Sequence, residues 1–314
     1  MALYLVTGGC GFIGSHLTDA LVARGDRVRV LDDLSTGRRE NLPDGVEVLL
    51  GDVADAGTVA QAMTGVSGCW HLAAVASVAR STEEWVNTHR TNQTGSIQVF
   101  NAARHAGPGR TPIPVVYASS AAVYGDNPHI PLAETCQLHP LTAYGADKLG
   151  SELHAAVATR VHGVPTVGLR FFNVFGPRQD PHSPYSGVIS IFAAKILADQ
   201  PITIFGDGEQ TRDFIHVSDV VHFLLAGMGR GRDNPEVYNV CTGRQTSLNR
   251  LVAILLKESG TKVPIIYSSP RPGDIRHSLG DPQFAINALE RVARQDMAAG
   301  LGGLLSFLSS GSAP

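Results

Sequence analysis

Thr7-Gly8-Gly9-Cys10-Gly11-Phe12-Ile13-Gly14-Ser15-His16 succeeds an apolar run, Leu3 to Thr7, and opens a helix-length stretch, so it reads as a strand-to-helix turn. Gly9, Gly11 and Gly14 satisfy G-x-G-x-x-G, and Gly8 adds a G-x-x-G-x-x-G reading. Such glycines allow a tight turn and a close backbone approach to a pyrophosphate, while the adjoining helix aims its amide groups and positive dipole end at the anion. They also suit a bare glycine-rich turn. The second apolar run bears on the choice. Val28 to Leu31 ends in Asp32-Asp33, eighteen residues past Gly14, where a carboxylate can accept hydrogen bonds from a ribose diol. We therefore assign Gly8, Gly11, Phe12, Ile13, Gly14, Asp32 and Asp33 to a dinucleotide, with NAD favoured over NADP because a carboxylate repels a 2′-phosphate. Arg38 and Arg39 lie nearby in sequence and keep NADP open. After the third run, Asp52-Val53 suits either an adenine edge or a helix N-cap.

Outward from that loop the texture repeats. Val46 to Leu50, Gly68 to Leu72, Val115 to Ser119 and Val167 to Phe171 are further short apolar runs, separated by amphipathic stretches. Runs apolar on both faces, alternating with helices, predict an α/β fold with a doubly wound parallel sheet of Rossmann type. Two long helices are expected, Glu84 to His105 and Tyr144 to His162. Beyond about residue 175, Pro177, Pro181, Pro184, Gly187, Pro201, Gly206, Gly208, Pro264, Pro270, Pro272 and Gly273 break the chain into loops. The expectation is a large domain over 1–175 and a smaller substrate lobe over 176–314, with some chain returning to the large domain. In that lobe we expect helices at Val188 to Asp199 and Ser247 to Ser259, and strands at Ile202 to Ile204 and Val237 to Val240.

Composition narrows the partners. The 314 residues are 43% hydrophobic and 17% charged, enough for a sizeable core and unlike a disordered chain. A net charge of −3 recommends neither nucleic acid nor an anionic membrane surface, leaving a small molecule as the expected partner. Four scattered cysteines, Cys10, Cys69, Cys136 and Cys241, form no CxxC pair, so a reducing cytoplasm is expected and no metal. The first eleven residues lack a basic n-region and a cleavage pattern, and the apolar stretch Leu301 to Leu308 is too short for a membrane span.

Tyr144 and Lys148 stand one helical turn apart in a chain with seven tyrosines and four lysines, which places both on one helix face. An ammonium near a phenol would lower its pKa from about 10 toward working pH, as a base for an alcohol proton requires. A surface tyrosine beside a solvated lysine has the same spacing. Upstream, Val115 to Ser119 ends a buried strand in Ser119-Ser120. Ligands of a doubly wound sheet sit outside the carboxyl ends of its strands, so these hydroxyls can share a hydrogen bond with substrate, although a plain cap would look alike.

Seven motifs together carry a resemblance: the glycine loop, His71-Leu72-Ala73-Ala74, Ser119-Ser120-Ala121-Ala122-Val123-Tyr124-Gly125, Tyr144-Gly145-Ala146-Asp147-Lys148, Arg170-Phe171-Phe172-Asn173-Val174-Phe175-Gly176-Pro177, Arg212-Asp213-Phe214-Ile215-His216-Val217 and Arg271-Pro272-Gly273-Asp274. From residue 2 to about 281 the chain resembles the extended short-chain dehydrogenases/reductases, and within them the UDP-hexose 4-epimerases. The resemblance implies that Tyr144 takes the proton of the sugar 4-hydroxyl while C4 passes hydride to NAD. The 4-keto sugar then turns over and receives the hydride on its other face. It further implies Ser120 as the catalytic serine, Lys148 on the nicotinamide ribose, and Leu72, Ala73, Ala74 and Asn92 beside the cofactor. Asn173, Val188, Arg212, Arg271 and Asp274 match positions that hold the nucleotide, where guanidinium forks suit a pyrophosphate. Relatives of this kind often dimerise through two helices per subunit, which implies Glu84 to His105 and Tyr144 to His162 as the seam.

Where related enzymes divide, this chain takes the simpler side. Dehydratases resemble it but carry an Asp-Glu pair at Ser120-Ala121, and enzymes that form UDP-xylose carry Glu at Ala122. Elimination needs an acid and a base there, and neither is present. Members that exclude N-acetylated sugars resemble one another in a tyrosine where this chain has Ser278, which implies a roomier site, and Arg178-Gln179-Asp180-Pro181 resembles members that accept such sugars. Ala76 replaces a glycine of some of those members. A UDP-glucuronate 4-epimerase, a net sugar reductase and an NAD-binding protein without catalysis are the alternatives.

Overall fold

The computed structural model describes residues 2–180, 187–231, 234–271 and 274–310. The apolar runs of the first half become β1 (Leu3–Thr7), β2 (Arg27–Asp32), β3 (Glu47–Leu50), β4 (Gly68–His71), β5 (Val115–Ser120) and β6 (Thr166–Phe171). They lie in the order β6-β5-β4-β1-β2-β3, each ladder parallel. All residues of β4 and β6 are buried, as strands covered on both faces must be. The cover comes from α1 (Phe12–Ala23), α2 (Ala56–Ala62), α5 (Gly95–Ala103) and α6 (Ala143–His162), while α3 (Val78–Glu83) and α4 (Trp85–His89) pack on α6. Leu5, Leu31, Val115 and Tyr117 of the sheet pack with Val59, Val99, Phe100 and Ala155 of these helices in one apolar cluster.

Of the two helices expected to be long, one is interrupted. Glu84 leaves helical geometry at φ −114° and ψ 48°, and Arg90–Thr94 forms a π-turn between α4 and α5. The wider turn buries Asn92 and Gln93, and Asn92 ties down the loop after β4. By contrast α6 runs unbroken for 20 residues. Thr142 caps its first turn by accepting from the Gly145 amide at 3.1 Å, and Gly163, at φ +68°, ends it in the left-handed conformation.

Beyond β6 the chain builds β7 (Asn173–Phe175), α7 (Val188–Leu197), β8 (Ile202–Phe205), β9 (Thr211–Arg212), β10 (Phe214–His216), α8 (Val217–Gly227), β11 (Glu236–Val240), β12 (Thr246–Ser247), α9 (Leu248–Ser259), β13 (Ile265–Ser268), α10 (Gln283–Leu289) and α11 (Met297–Ser309). The strand expected in the lobe at Val237 to Val240 is instead the seventh strand of the large sheet, beside β6. Its last three residues are buried, which suits a place in the large sheet. Two compact units result. The first comprises Met1–Gly125, Leu138–Phe171 and Val221–Tyr238, and the second Asp126–Gln137, Phe172–Val220 and Asn239–Pro314. The second holds the small pairs β7·β10, β8·β13 and β9·β12, with a core of Phe192, Ile196, Leu251, Leu255, Leu301 and Leu304 from α7, α9 and α11. Gly302 and Gly303 do not interrupt α11. Pro181, Pro184, Pro272, Gly273 and the last four residues lie outside the described residues.

Candidate active site

In the first unit β1 delivers the chain into the glycine loop, where Gly8 turns at φ +69° and donates to the Leu31 carbonyl at 2.8 Å. A Cβ at Gly8 would lie 2.7 Å from the Ala73 amide nitrogen, and one at Gly14 only 2.1 Å from the Gly8 carbonyl oxygen. These positions need glycine because backbone meets backbone there. Gly11 caps α1 without a side-chain partner, and no acidic residue stands in its first turn, so the helix N-terminus keeps amide donors and its positive dipole end for an anion. The loop thus fits a dinucleotide pyrophosphate.

Asp32 and Asp33 differ. Asp32 is buried at the end of β2 and accepts from the Cys10 and Leu34 amides, each at 2.9 Å, so it fastens the loop to the sheet and keeps lone pairs for a diol. Burial raises its carboxyl, and those two amides pull it back. Asp33 is exposed and accepts from the Ser35 amide and hydroxyl. Asp52 accepts from the Ala54 amide at 2.8 Å and from Arg90 at 2.5 Å, while the helix N-cap role falls to Asp55, three residues on. Val53 is buried against Gly95. The Leu72 and Ala73 amides donate to Thr7 Oγ1 at 3.2 Å, which draws the 72–74 segment, Ala74 included, beside the loop. His71 bridges Thr7 Oγ1 and Ser96 Oγ at 2.8 and 3.0 Å, and burial, helped by Lys148, drops its pKa to about 3. Asn92 uses both ends of its amide on the Val75 backbone. It orients that loop from behind.

Tyr144 and Lys148 share one face of α6, with the Lys148 Nζ 5.8 Å from the centre of the Tyr144 ring. Lys148 is buried and donates to the Ala118 carbonyl of β5 at 2.9 Å, so it is not the solvated surface lysine that the spacing left open. Burial lowers it to about 8, opposed by Asp147. Burial raises the Tyr144 phenol above its ordinary value of 10, and the Ser120 side chain pulls it back in part. Ser120 at the end of β5 also caps a short turn by accepting from the Ala122 amide at 3.1 Å.

Beneath these groups lies a cluster that sequence reading missed. Ser119 Oγ donates to Glu152 Oε1 at 2.5 Å, and Arg170 donates to both Glu152 oxygens, at 2.9 and 2.8 Å, and to the Tyr124 hydroxyl at 2.8 Å. All four side chains are buried or nearly so. The available signal was Glu152 standing four residues after Lys148, on the face already marked by Tyr144.

In the second unit Arg212, at the end of β9, donates to Asp274 Oδ1 at 2.6 Å and to the Thr211 carbonyl. Burial lowers the Arg212 guanidinium, and Asp274 opposes that. The Arg271 guanidinium lies 4.0 Å from the centre of the Phe205 ring on β8. Phe205 is a further candidate that sequence reading missed, as is the bidentate Asp207–Arg276 pair at 2.7 and 2.8 Å. Half-buried Ser278 donates its amide to the Thr211 carbonyl, which brings segment 274–278 alongside β9. Asn173 is exposed at the start of β7, and Val188 opens α7 behind Gly187, which supplies no side-chain cap. Gln179 accepts from Ser190 of α7 at 2.7 Å. A guanidinium over an aromatic ring, as at Arg271 and Phe205, is a surface able to take a phosphate and a flat base. Among the described residues no group of three or more His, Cys, Asp or Glu could hold a metal, and no helix is long and apolar enough to cross a membrane.

Residues 4–241 match the NAD dependent epimerase/dehydratase family. A putative UDP-glucose 4-epimerase of Methanocaldococcus jannaschii is 37% identical over 275 residues, covering 87% of this chain and 88% of that protein. Among solved structures, UDP-glucose 4-epimerase of Thermotoga maritima with UDP-glucose aligns with a TM-score of 0.93 at 34% identity, over 99% of both chains. UDP-N-acetylglucosamine 4-epimerase of Methanobrevibacter ruminantium, in complex with UDP-N-acetylmuramic acid, gives a TM-score of 0.93 at 35% identity over the same shares.

Proposed function

The chain belongs to the NAD dependent epimerase/dehydratase family, and on that premise we propose that it is a UDP-hexose 4-epimerase interconverting UDP-glucose and UDP-galactose. The observation that carries this reading is the face of α6 that bears Tyr144 and, one turn on, the buried Lys148, whose Nζ lies 5.8 Å from the centre of the Tyr144 ring. NAD, held by the glycine loop and by Asp32 and Asp33, supplies a reversible hydride acceptor at C4. The Tyr144 oxygen takes the 4-hydroxyl proton, Ser120 shares that hydrogen bond, and Lys148 supplies positive charge nearby. Because the proton and the hydride both return, nothing is consumed. No carboxylate stands at Ser120, Ala121 or Ala122, so elimination lacks its acid and base.

Arg212 and Arg271 hold the diphosphate in this reading, with Asp274 fixing Arg212, and Asn173 and Val188 complete the nucleotide's surroundings. A firm grip on UDP anchors the sugar while its keto form rotates. Ser278 leaves room for an acetamido group, so UDP-N-acetylglucosamine and its C4 epimer belong to the substrate range. The enzyme acts as a homodimer. Supporting this are Trp85 and Val86 of α4, Ile97 of α5, and Leu153, Val157 and Val161 of α6, apolar side chains left exposed on the helices expected to form the seam. A reducing cytoplasm suits its four free cysteines.

The test is incubation with UDP-glucose, UDP-N-acetylglucosamine and UDP-glucuronate separately, with the C4 epimer read by proton NMR. The expected result is epimers of the first two without added NAD, the cofactor remaining bound through purification. A requirement for stoichiometric NADH would favour a net reductase instead. Tyr144→Phe is expected to lower turnover by at least about a hundredfold with unchanged folding, as for loss of a positioned base.

A further inference from the structure

Consecutive residues at the end of β5 are held by successive turns of α6. Lys148 donates to the Ala118 carbonyl and Glu152 accepts from the Ser119 hydroxyl, while Tyr144 stands one turn before Lys148 on the same helix. Tyr144, Lys148 and Glu152 are spaced i, i+4, i+8 and so line one helix face. The Glu152 rung is the most heavily braced. Both its oxygens accept from Arg170, which lies directly opposite Ser119 in the β5–β6 ladder and also reaches the Tyr124 hydroxyl, with its guanidinium 4.9 Å from that ring. Tyr124 closes the short turn Ala121–Tyr124 that Ser120 itself caps. The brackets therefore grip Ser120 from both sides along the chain, through Ser119 before it and Tyr124 after it.

We propose that the Ser119–Glu152–Arg170–Tyr124 cluster is a positioning device that sets the Ser120 hydroxyl against the Tyr144 oxygen. The proposal rests on the epimerase reading for its kinetic consequence. A buried ion pair is a poor source of net stability, because desolvation offsets much of its attraction. It is a good source of rigid geometry, since a bidentate guanidinium–carboxylate pair admits few orientations. A hydroxyl displaced by about 1 Å can cost up to about a hundredfold in rate, which gives such bracing a purpose in catalysis.

Ser119→Ala removes one rung and leaves the Glu152–Arg170 pair intact, so its folding is safeguarded. The expected result is a fall in kcat of about tenfold, with KM for UDP-glucose, bound NAD and melting temperature close to wild type. Glu152→Gln is expected to move kcat in the same direction and further. Activity-independent support comes from NMR of ring-labelled tyrosine, where the resonance absent from Tyr144→Phe identifies Tyr144. That resonance is expected to shift in Ser119→Ala. An unchanged kcat together with an unmoved Tyr144 resonance overturns the proposal. A fall in kcat matched by loss of bound NAD or of folded protein overturns it too, because the cluster would then be merely structural. Should the wild-type protein epimerise no UDP-hexose, the functional reading fails, and the Tyr144 resonance alone decides the positioning claim.

Discussion

Tyr144 shows how burial and function pull on one side chain. Enclosure raises the phenol's pKa, and Ser120 is the neighbour that opposes this, so the proposed base depends on Ser120. The Lys148 ammonium is fixed by the Ala118 carbonyl and lowered to about 8, so raising the pH through that value removes its charge, whereas below it the cation persists. Ser278 tests substrate range at the same scale. It is half-buried and small, and a phenol ring in its place would fill the space proposed for an acetamido group. Ser278→Tyr is expected to lower kcat/KM for UDP-N-acetylglucosamine by at least about tenfold relative to UDP-glucose, measured by the NMR assay on both sugars. Equal loss on both would remove Ser278 from the sugar pocket.

At the scale of elements, the glycine loop and α6 were the most legible parts. A strand, a glycine turn and a helix succeed one another within about twenty residues, and local backbone demands already require glycine at Gly8, with φ +69°, and at Gly14, which meets the Gly8 carbonyl. Gly14→Ala would put a methyl carbon against the Gly8 carbonyl and force the turn open. The expected outcome is folded protein retaining at least about tenfold less NAD after purification, measured by absorbance of the dinucleotide released on denaturation. Retention at the wild-type level would mean the pyrophosphate sits elsewhere. The π-turn at Arg90–Thr94 was not legible, because it answers to a tertiary demand: Asn92 must reach the Val75 backbone, and nothing in the local pattern states that. Phe205 and Glu152 escaped for a related reason. Each reads as an ordinary strand or helix residue until its partner, Arg271 or Arg170, is brought to it from far along the chain.

For the molecule as a whole, the exposed apolar row on α6 bears on assembly. Leu153, Val157 and Val161 recur every fourth residue and are 63%, 48% and 68% exposed, an arrangement a lone subunit gains nothing from. The double variant Leu153→Glu and Val157→Glu is expected to halve the mass measured by light scattering, with the monomer still folded. An unaltered dimer would put the seam elsewhere. The long-range fold followed from pattern because burial on both faces of successive short strands admits few solutions besides a doubly wound sheet. Alternation of apolar runs, the glycine turn, the acidic end of β2 and the Tyr144–Lys148 spacing were local properties, and so the amino-acid order by itself determined the sheet, the glycine loop and the shared helix face of the proposed catalytic pair. Only the tertiary structure decided that Glu236–Val240 joins the large sheet, that Arg170 and Ser119 meet on Glu152, and that burial raises the Tyr144 phenol. Those outcomes depend on desolvation and on contacts between residues distant in the chain, which no local spacing encodes.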